Sequence, residues 1–137
     1  MLSFGNERLK NCLFVSPVFD MKRLILKMMS WANISEEQLK KELIISTTFG
    51  QTLSWEYWEY ASSHSITKWE VPTKILYGEN DNLIDRDEVE NFAQKFHCGL
   101  EVIGNGEHWF HSAEQIEVMK KWVNKNIDGK KMEKNER

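Results

Sequence analysis

Three short apolar runs, separated by segments of helical period, set the frame of the chain. Asn11 to Ser16 is a continuous apolar run stopped by Pro17, which fits a strand buried on both faces. Thr73 to Tyr77 is the second such run, with Pro72 tolerated only because it stands before the strand, and Leu100 to Ile103 is the third. Between the first and second runs, Met21, Leu24, Ile25, Met28 and Met29 repeat at helical spacing, with Lys22, Arg23 and Lys27 on the other side. Ser35-Glu36-Glu37-Gln38 is a capping box that predicts a helix from Glu36 to about Ile44. Thr47 to Thr52 is turn-like, and Ser54 caps an aromatic-rich helix ending near Ser63. Between the second and third runs, Asp85 or Asp87 caps a helix whose Val89, Phe92, Ala93 and Phe96 share a face. After the third run, Ser112-Ala113-Glu114-Gln115 opens a helix that turns Ile116, Met119, Trp122 and Val123 inward.

Strand, helices, strand, helix, strand, helix is the α/β order, and right-handed crossovers make the three strands parallel. The fold class expected is therefore α/β, a three-stranded parallel sheet flanked by helices. The segment of about 20–66, read as three short helices with no strand between them, has the look of an inserted lid or cap. One domain over 1–127 is expected, followed by a charged, frayed tail over 128–137.

Composition narrows the function classes. The 137 residues are 41% hydrophobic with a net charge of −3, and acidic and basic side chains are mixed, with no basic stripe interleaved with aromatics for nucleic acid. No segment approaches the roughly 20 apolar residues of a membrane span, and the first residues lack a signal-peptide pattern, so a cytoplasmic protein is expected. Cys12 and Cys98 stand far apart without Cys-x-x-Cys spacing, which predicts free buried thiols. Trp31, Trp55, Trp58 and Trp69 are four of six tryptophans and fall in the middle region, as a second small core or as the wall of an apolar pocket.

Two candidates for chemistry stand on successive strand-ending loops. Gly78-Glu79-Asn80-Asp81 follows the second strand, and Gly104-Asn105-Gly106-Glu107-His108 follows the third. In open parallel sheets functional groups gather at the carboxyl ends of strands, so Asp81 and His108 are expected on one edge. A carboxylate beside an imidazole fixes its tautomer and stabilises the imidazolium, which is two thirds of a nucleophile triad. Other chemistries fit less well. His108 and His111 with Glu107 lack the third and fourth ligands of a zinc site, and Glu79, Asp81, Asp85 and Asp87 are interrupted by Leu83 and Ile84 where a calcium loop needs a Gly. No metal and no cofactor is expected. His64, in a Ser-rich loop, reads as a solvated side chain.

From Leu9 to Asn126 the chain resembles the C-terminal portion of an α/β-hydrolase. Pro72-Thr73-Lys74-Ile75-Leu76-Tyr77-Gly78-Glu79-Asn80-Asp81 is similar to the penultimate strand and acid loop, and Gly106-Glu107-His108-Trp109-Phe110 to the histidine loop. Leu13-Phe14-Val15-Ser16-Pro17 resembles the strand after the nucleophile helix, and Met21 to Trp69 the cap region. The resemblance implies a partial α/β-hydrolase fold with a helical cap segment, Asp81 as triad acid and His108 as general base, with Trp55, Trp58 and Trp109 toward a small-molecule ester or amide substrate. The family's Gly-x-Ser-x-Gly elbow is absent from these residues, and so is a Gly-rich oxyanion loop. Ser16 is no substitute, because Pro17 lacks the N–H that follows a nucleophile and no strained turn is indicated there. The nucleophile is thus expected outside this chain, leaving it inactive alone or a non-enzymatic remnant. With the inner edge of the first strand open, a homo-oligomer is expected, through paired first strands or exchanged cap helices.

Overall fold

The computed structural model describes residues 8–132, with side chains through residue 127. They divide into two compact units, Val18–Trp69 and Arg8–Pro17 joined by Glu70 and the residues after it.

In the unit Val18–Trp69, helix α1 spans Met21–Ala32 and α2 spans Glu36–Glu42. Asp20 caps α1 by accepting from Arg23 N at 2.9 Å, and Ser35 caps α2 by accepting from Gln38 N at 3.1 Å, each satisfying an N–H that a helix start leaves unpaired. Leu43, with φ of +65°, stops α2 two residues earlier than the sequence suggested. Strands β2 (Ile44–Ser46) and β3 (Thr52–Ser54) then form an antiparallel hairpin, which corrects the expectation of helices with no strand between them. The signal was missed because three residues per strand are too few to show alternation. The hairpin is closed by Thr47, whose Oγ1 donates to Gln51 O at 2.7 Å and accepts from Gln51 N at 3.2 Å. Helix α3 (Trp55–Ser63) follows, capped by Ser54. Ile25, Met29, Leu39, Leu53, Trp58 and Ala61 form the core of this unit.

The second unit holds the parallel sheet. Strand β1 (Cys12–Val15) pairs with β4 (Thr73–Gly78), and β4 with β5 (Gly99–Ile103), in the order β1-β4-β5. Alternation along β4 sends Leu76 toward Phe110 and Trp122, with Leu13, Val15, Ile103, Met119 and Val123 packed around them. Ile75 and Tyr77 are buried on the opposite face. Strand β1 is half-buried along its length, where the sequence suggested burial on both faces. It lies at an end of the sheet order, and β4 is its one hydrogen-bonded strand neighbour among the described residues. Helix α4 (Arg86–Lys95) buries Val89, Phe92 and Ala93, with Asp85 at its N-cap position making no capping bond through its side chain. Helix α5 (Ala113–Met132) is started by Ser112, which accepts from Gln115 N at 3.2 Å. It continues past residue 127, where the domain was expected to end, because each residue added to a formed helix adds a hydrogen bond. The rest of the expected tail, 133–137, lies outside the described residues.

Candidate functional site at the carboxyl edge of the sheet

The loops after β4 and β5 are stitched together by their backbones. Glu79 N donates to Ile103 O at 3.0 Å and Asn80 N donates to Gly106 O at 2.8 Å, while Gly106 N turns back to Ile103 O at 3.1 Å. Such closeness needs two glycines. A Cβ on Gly78 would collide with the carbonyl of Gly106 and come within 2.8 Å of Glu107 O, and one on Gly106 would come within 2.9 Å of Gly78 Cα.

That approach delivers Asp81 to His108. The Nδ1 of His108 lies 2.8 Å from Asp81 Oδ2, with the aspartate side chain fully buried and the histidine 25% exposed. The other carboxylate oxygen, Oδ1, accepts from Leu83 N and Ile84 N, both at 2.9 Å, so the acid is held from both ends. A carboxylate only accepts, so it draws the imidazole proton to Nδ1 and leaves the Nε2 lone pair as a base. The arrangement can take a proton at Nε2 and stabilise the resulting cation beside a buried negative charge.

Tyr77 is a supporting residue that sequence reasoning missed. Its hydroxyl donates to Ile84 O at 2.7 Å, so Ile84 is gripped through its N–H by Asp81 and through its carbonyl by Tyr77. Burial first, then the nearby Asp81 and Asp85 charges, push the Tyr77 phenol up to about 12, so it stays a donor at any ordinary pH. The spacing of seven between Tyr77 and Ile84 has no signature in sequence, since the loop between them decides whether the two meet.

Trp109 and Phe110 divide the histidine loop. Phe110 is buried under the sheet and anchors it, and Trp109 is 74% exposed. The exposed His111 packs its ring 5.0 Å from that of Trp109, with Nδ1 2.8 Å from Trp109 O and 3.3 Å from Glu107 Oε2. Among the described residues no three His, Cys, Asp or Glu side chains are grouped to hold a metal ion. In the other unit, Trp58 is 4% exposed within the core and Trp55 packs against that core. Their neighbour Tyr57 lines a cavity of about 280 Å³ with Met21, Leu24, Met28 and Leu53.

Ser16 departs from expectation. It leaves β1 with φ of +45°, so the turn is strained where none was indicated, and its N–H donates to Leu76 O at 2.9 Å. Its hydroxyl is buried without a hydrogen-bond partner among the described residues.

The family model for the α/β-hydrolase fold matches residues 6–114. The chain belongs to the α/β-hydrolase family. Among solved structures, this chain is similar to a putative hydrolase from Agrobacterium vitis S4, with a TM-score of 0.64 at 11% identity, over 83% of this chain and 48% of that one. It is also similar to Est1E from Butyrivibrio proteoclasticus, solved with ferulic acid bound, with a TM-score of 0.59 at 18% identity, over 85% of this chain and 50% of that one. At such identities the likeness is one of fold, and the chain spans about half the length of each. None of the curated proteins matches it.

Proposed function

We propose that this chain supplies the acid and base of an ester-hydrolysing α/β-hydrolase, with Asp81 orienting His108 and His108 serving as general base toward a serine contributed from outside these 137 residues. The observation that carries the reading is the 2.8 Å contact between His108 Nδ1 and the buried Asp81 carboxylate. Nε2 would take the serine proton as the serine oxygen attacks the ester carbonyl, and would pass it to the departing alcohol. A water then loses its proton to Nε2 as it attacks the acyl-serine, and the serine leaves with that proton. Trp109, 74% exposed and next to the base in the chain, is the candidate for shaping recognition of a small ester, whereas Trp58 and Trp55 belong to the core of the other unit. The two free thiols suit a reducing, cytoplasmic setting, and among the described residues no helix is long and apolar enough to cross a membrane.

A fluorophosphonate probe for activated serines tests this directly. The isolated chain is expected to show no labelled serine and no hydrolysis of p-nitrophenyl acetate beyond that of its His108→Ala variant. Joined to a nucleophile half carrying Gly-x-Ser-x-Gly, it is expected to hydrolyse the ester in a His108-dependent way. Labelling of a serine within the 137 residues would overturn the reading. A second reading, a non-enzymatic self-associating module, is favoured by β1 having one strand neighbour among the described residues. It expects a homo-oligomer held by β1 or by the α1–α3 segment, and a monodisperse monomer in sedimentation would count against it.

A further inference from the structure

The opposite end of the sheet carries a feature that the acid and base do not use. Cys12, Thr73 and Gly99 are the first residues of β1, β4 and β5, and all three line a cavity of about 440 Å³ at the amino edge. Among the described residues that line it, Lys74, His97 and Lys125 are basic, Asn11 and Asn126 carry amides, and none is an aspartate or glutamate. We propose that this cavity is a binding site for a phosphoryl group, carried by a small organic phosphate or present as the free ion.

Lys74 Nζ donates to Asn126 Oδ1 at 2.6 Å, which fixes its direction without neutralising it. Neither Lys74 nor Lys125 has a carboxylate partner within ion-pair distance among the described residues, although acidic residues outnumber basic ones in the chain. Two ammonium groups without a carboxylate partner among the described residues suit a dianion with several terminal oxygens, and the Asn126 amide, whose Nδ2 donates to Trp122 O at 2.8 Å, is held in place to orient Lys74.

His97 follows the end of α4 with φ of +54°, where Cys98 N reaches back to Ala93 O at 2.9 Å in the pattern that ordinarily selects glycine. A histidine there carries a conformational cost that glycine would avoid, and it is one of the residues lining the cavity. Basic groups at helix carboxyl ends also favour the helix dipole, which accounts for a cation near the end of α4. It does not account for Lys74 in the central strand or Lys125 within α5. A volume of about 440 Å³ also lies in the range of sites for small organic ligands, beyond the needs of a lone ion.

Titration of the 137-residue chain with inorganic phosphate and, separately, glycerol phosphate, followed by amide NMR at constant ionic strength, tests the proposal. Saturable shifts at His97, Gly99 and Asn126, with the loop of Asp81 and His108 unmoved, are expected. Binding of glycerol phosphate at least tenfold tighter than inorganic phosphate would assign the organic source, and equal affinity would assign the free ion. Lys125→Gln, an exposed change, is expected to weaken binding about tenfold. His97→Gly is expected to weaken binding while raising the thermal midpoint, an opposition that a purely structural histidine would not produce. Shifts reproduced by sodium chloride, no saturation, or unchanged affinity in a folded Lys125→Gln variant would overturn the site. Because these readouts lie apart from Asp81 and His108, their failure leaves the proposed hydrolase role untouched.

Discussion

The turn after β1 and the loops after β4 and β5 leave the same edge of one sheet, yet they are built in opposite ways. In the loops, both oxygens of Asp81 are engaged, the Tyr77 hydroxyl has an acceptor, and two glycines permit backbone contact. At the turn, Ser16 has a left-handed backbone and a buried hydroxyl with no partner among the described residues. Full satisfaction makes a geometry rigid, and an imidazole held this way has one tautomer to offer. A strained residue with an unsatisfied hydroxyl costs free energy without that hydroxyl fixing a neighbour. The contrast teaches that the sheet fixes the side chains of Asp81 and His108, whereas it holds Ser16 through its backbone, by the N–H bond to Leu76 O, and leaves the hydroxyl without a partner among the described residues.

The sharpest way to break the contrast is to part the two loops. Gly78→Ala places a methyl against the Gly106 carbonyl and is expected to cost about 3 kcal/mol in urea unfolding, with loss of the His108–Asp81 hydrogen bond by NMR. Next in size, Tyr77→Phe leaves the carbonyl of buried Ile84 unpaired and is expected to cost about 2 kcal/mol. The same variant checks a pH dependence. With the folded-state Tyr77 pushed up to about 12 from an ordinary value near 10, the fold favours the neutral phenol. The resulting stability is complete below about pH 10, lost as pH rises through 12, and absent from the alkaline limb of the Phe variant.

A smaller change tests the tautomer. In Asp81→Asn the side-chain oxygen keeps its bonds to Leu83 N and Ile84 N, so the amide nitrogen faces His108 and turns Nδ1 into an acceptor. The expected result is a shift of the imidazole proton to Nε2, seen in nitrogen-15 spectra, with a stability loss of about 1 kcal/mol. Retention of the proton on Nδ1 would show that the carboxylate does not set it. The smallest effect is expected at the other side of the comparison. Ser16→Gly removes the buried hydroxyl and the left-handed strain, offset in part by glycine's greater freedom when unfolded, for a gain of about 0.5 kcal/mol in urea. A loss would mean that the hydroxyl contributes to the fold after all.

Much of the frame was legible in the sequence. Apolar runs stopped by Gly or Pro mark β1, β4 and β5, the capping boxes at Ser35 and Ser112 start α2 and α5, and the parallel order follows from the crossovers. Asp81 and His108 could be picked out because each follows a strand end by a few residues. The hairpin of β2 and β3 was not legible, because its strands are three residues long and its pairing depends on the Thr47 turn. Nor was the end of α5, since charged residues continue a helix as readily as they fray one.

By itself, then, the sequence determined where strands and helices run and which ionisable residues follow the strands, because period and turn chemistry are local. Only the tertiary structure decided that Gly78 meets Gly106, that Tyr77 and Asp81 both hold Ile84, and that Lys74, His97 and Lys125 share one cavity. Those facts join residues from different elements, and strand register and loop path, which no local pattern records, fix the distances between them.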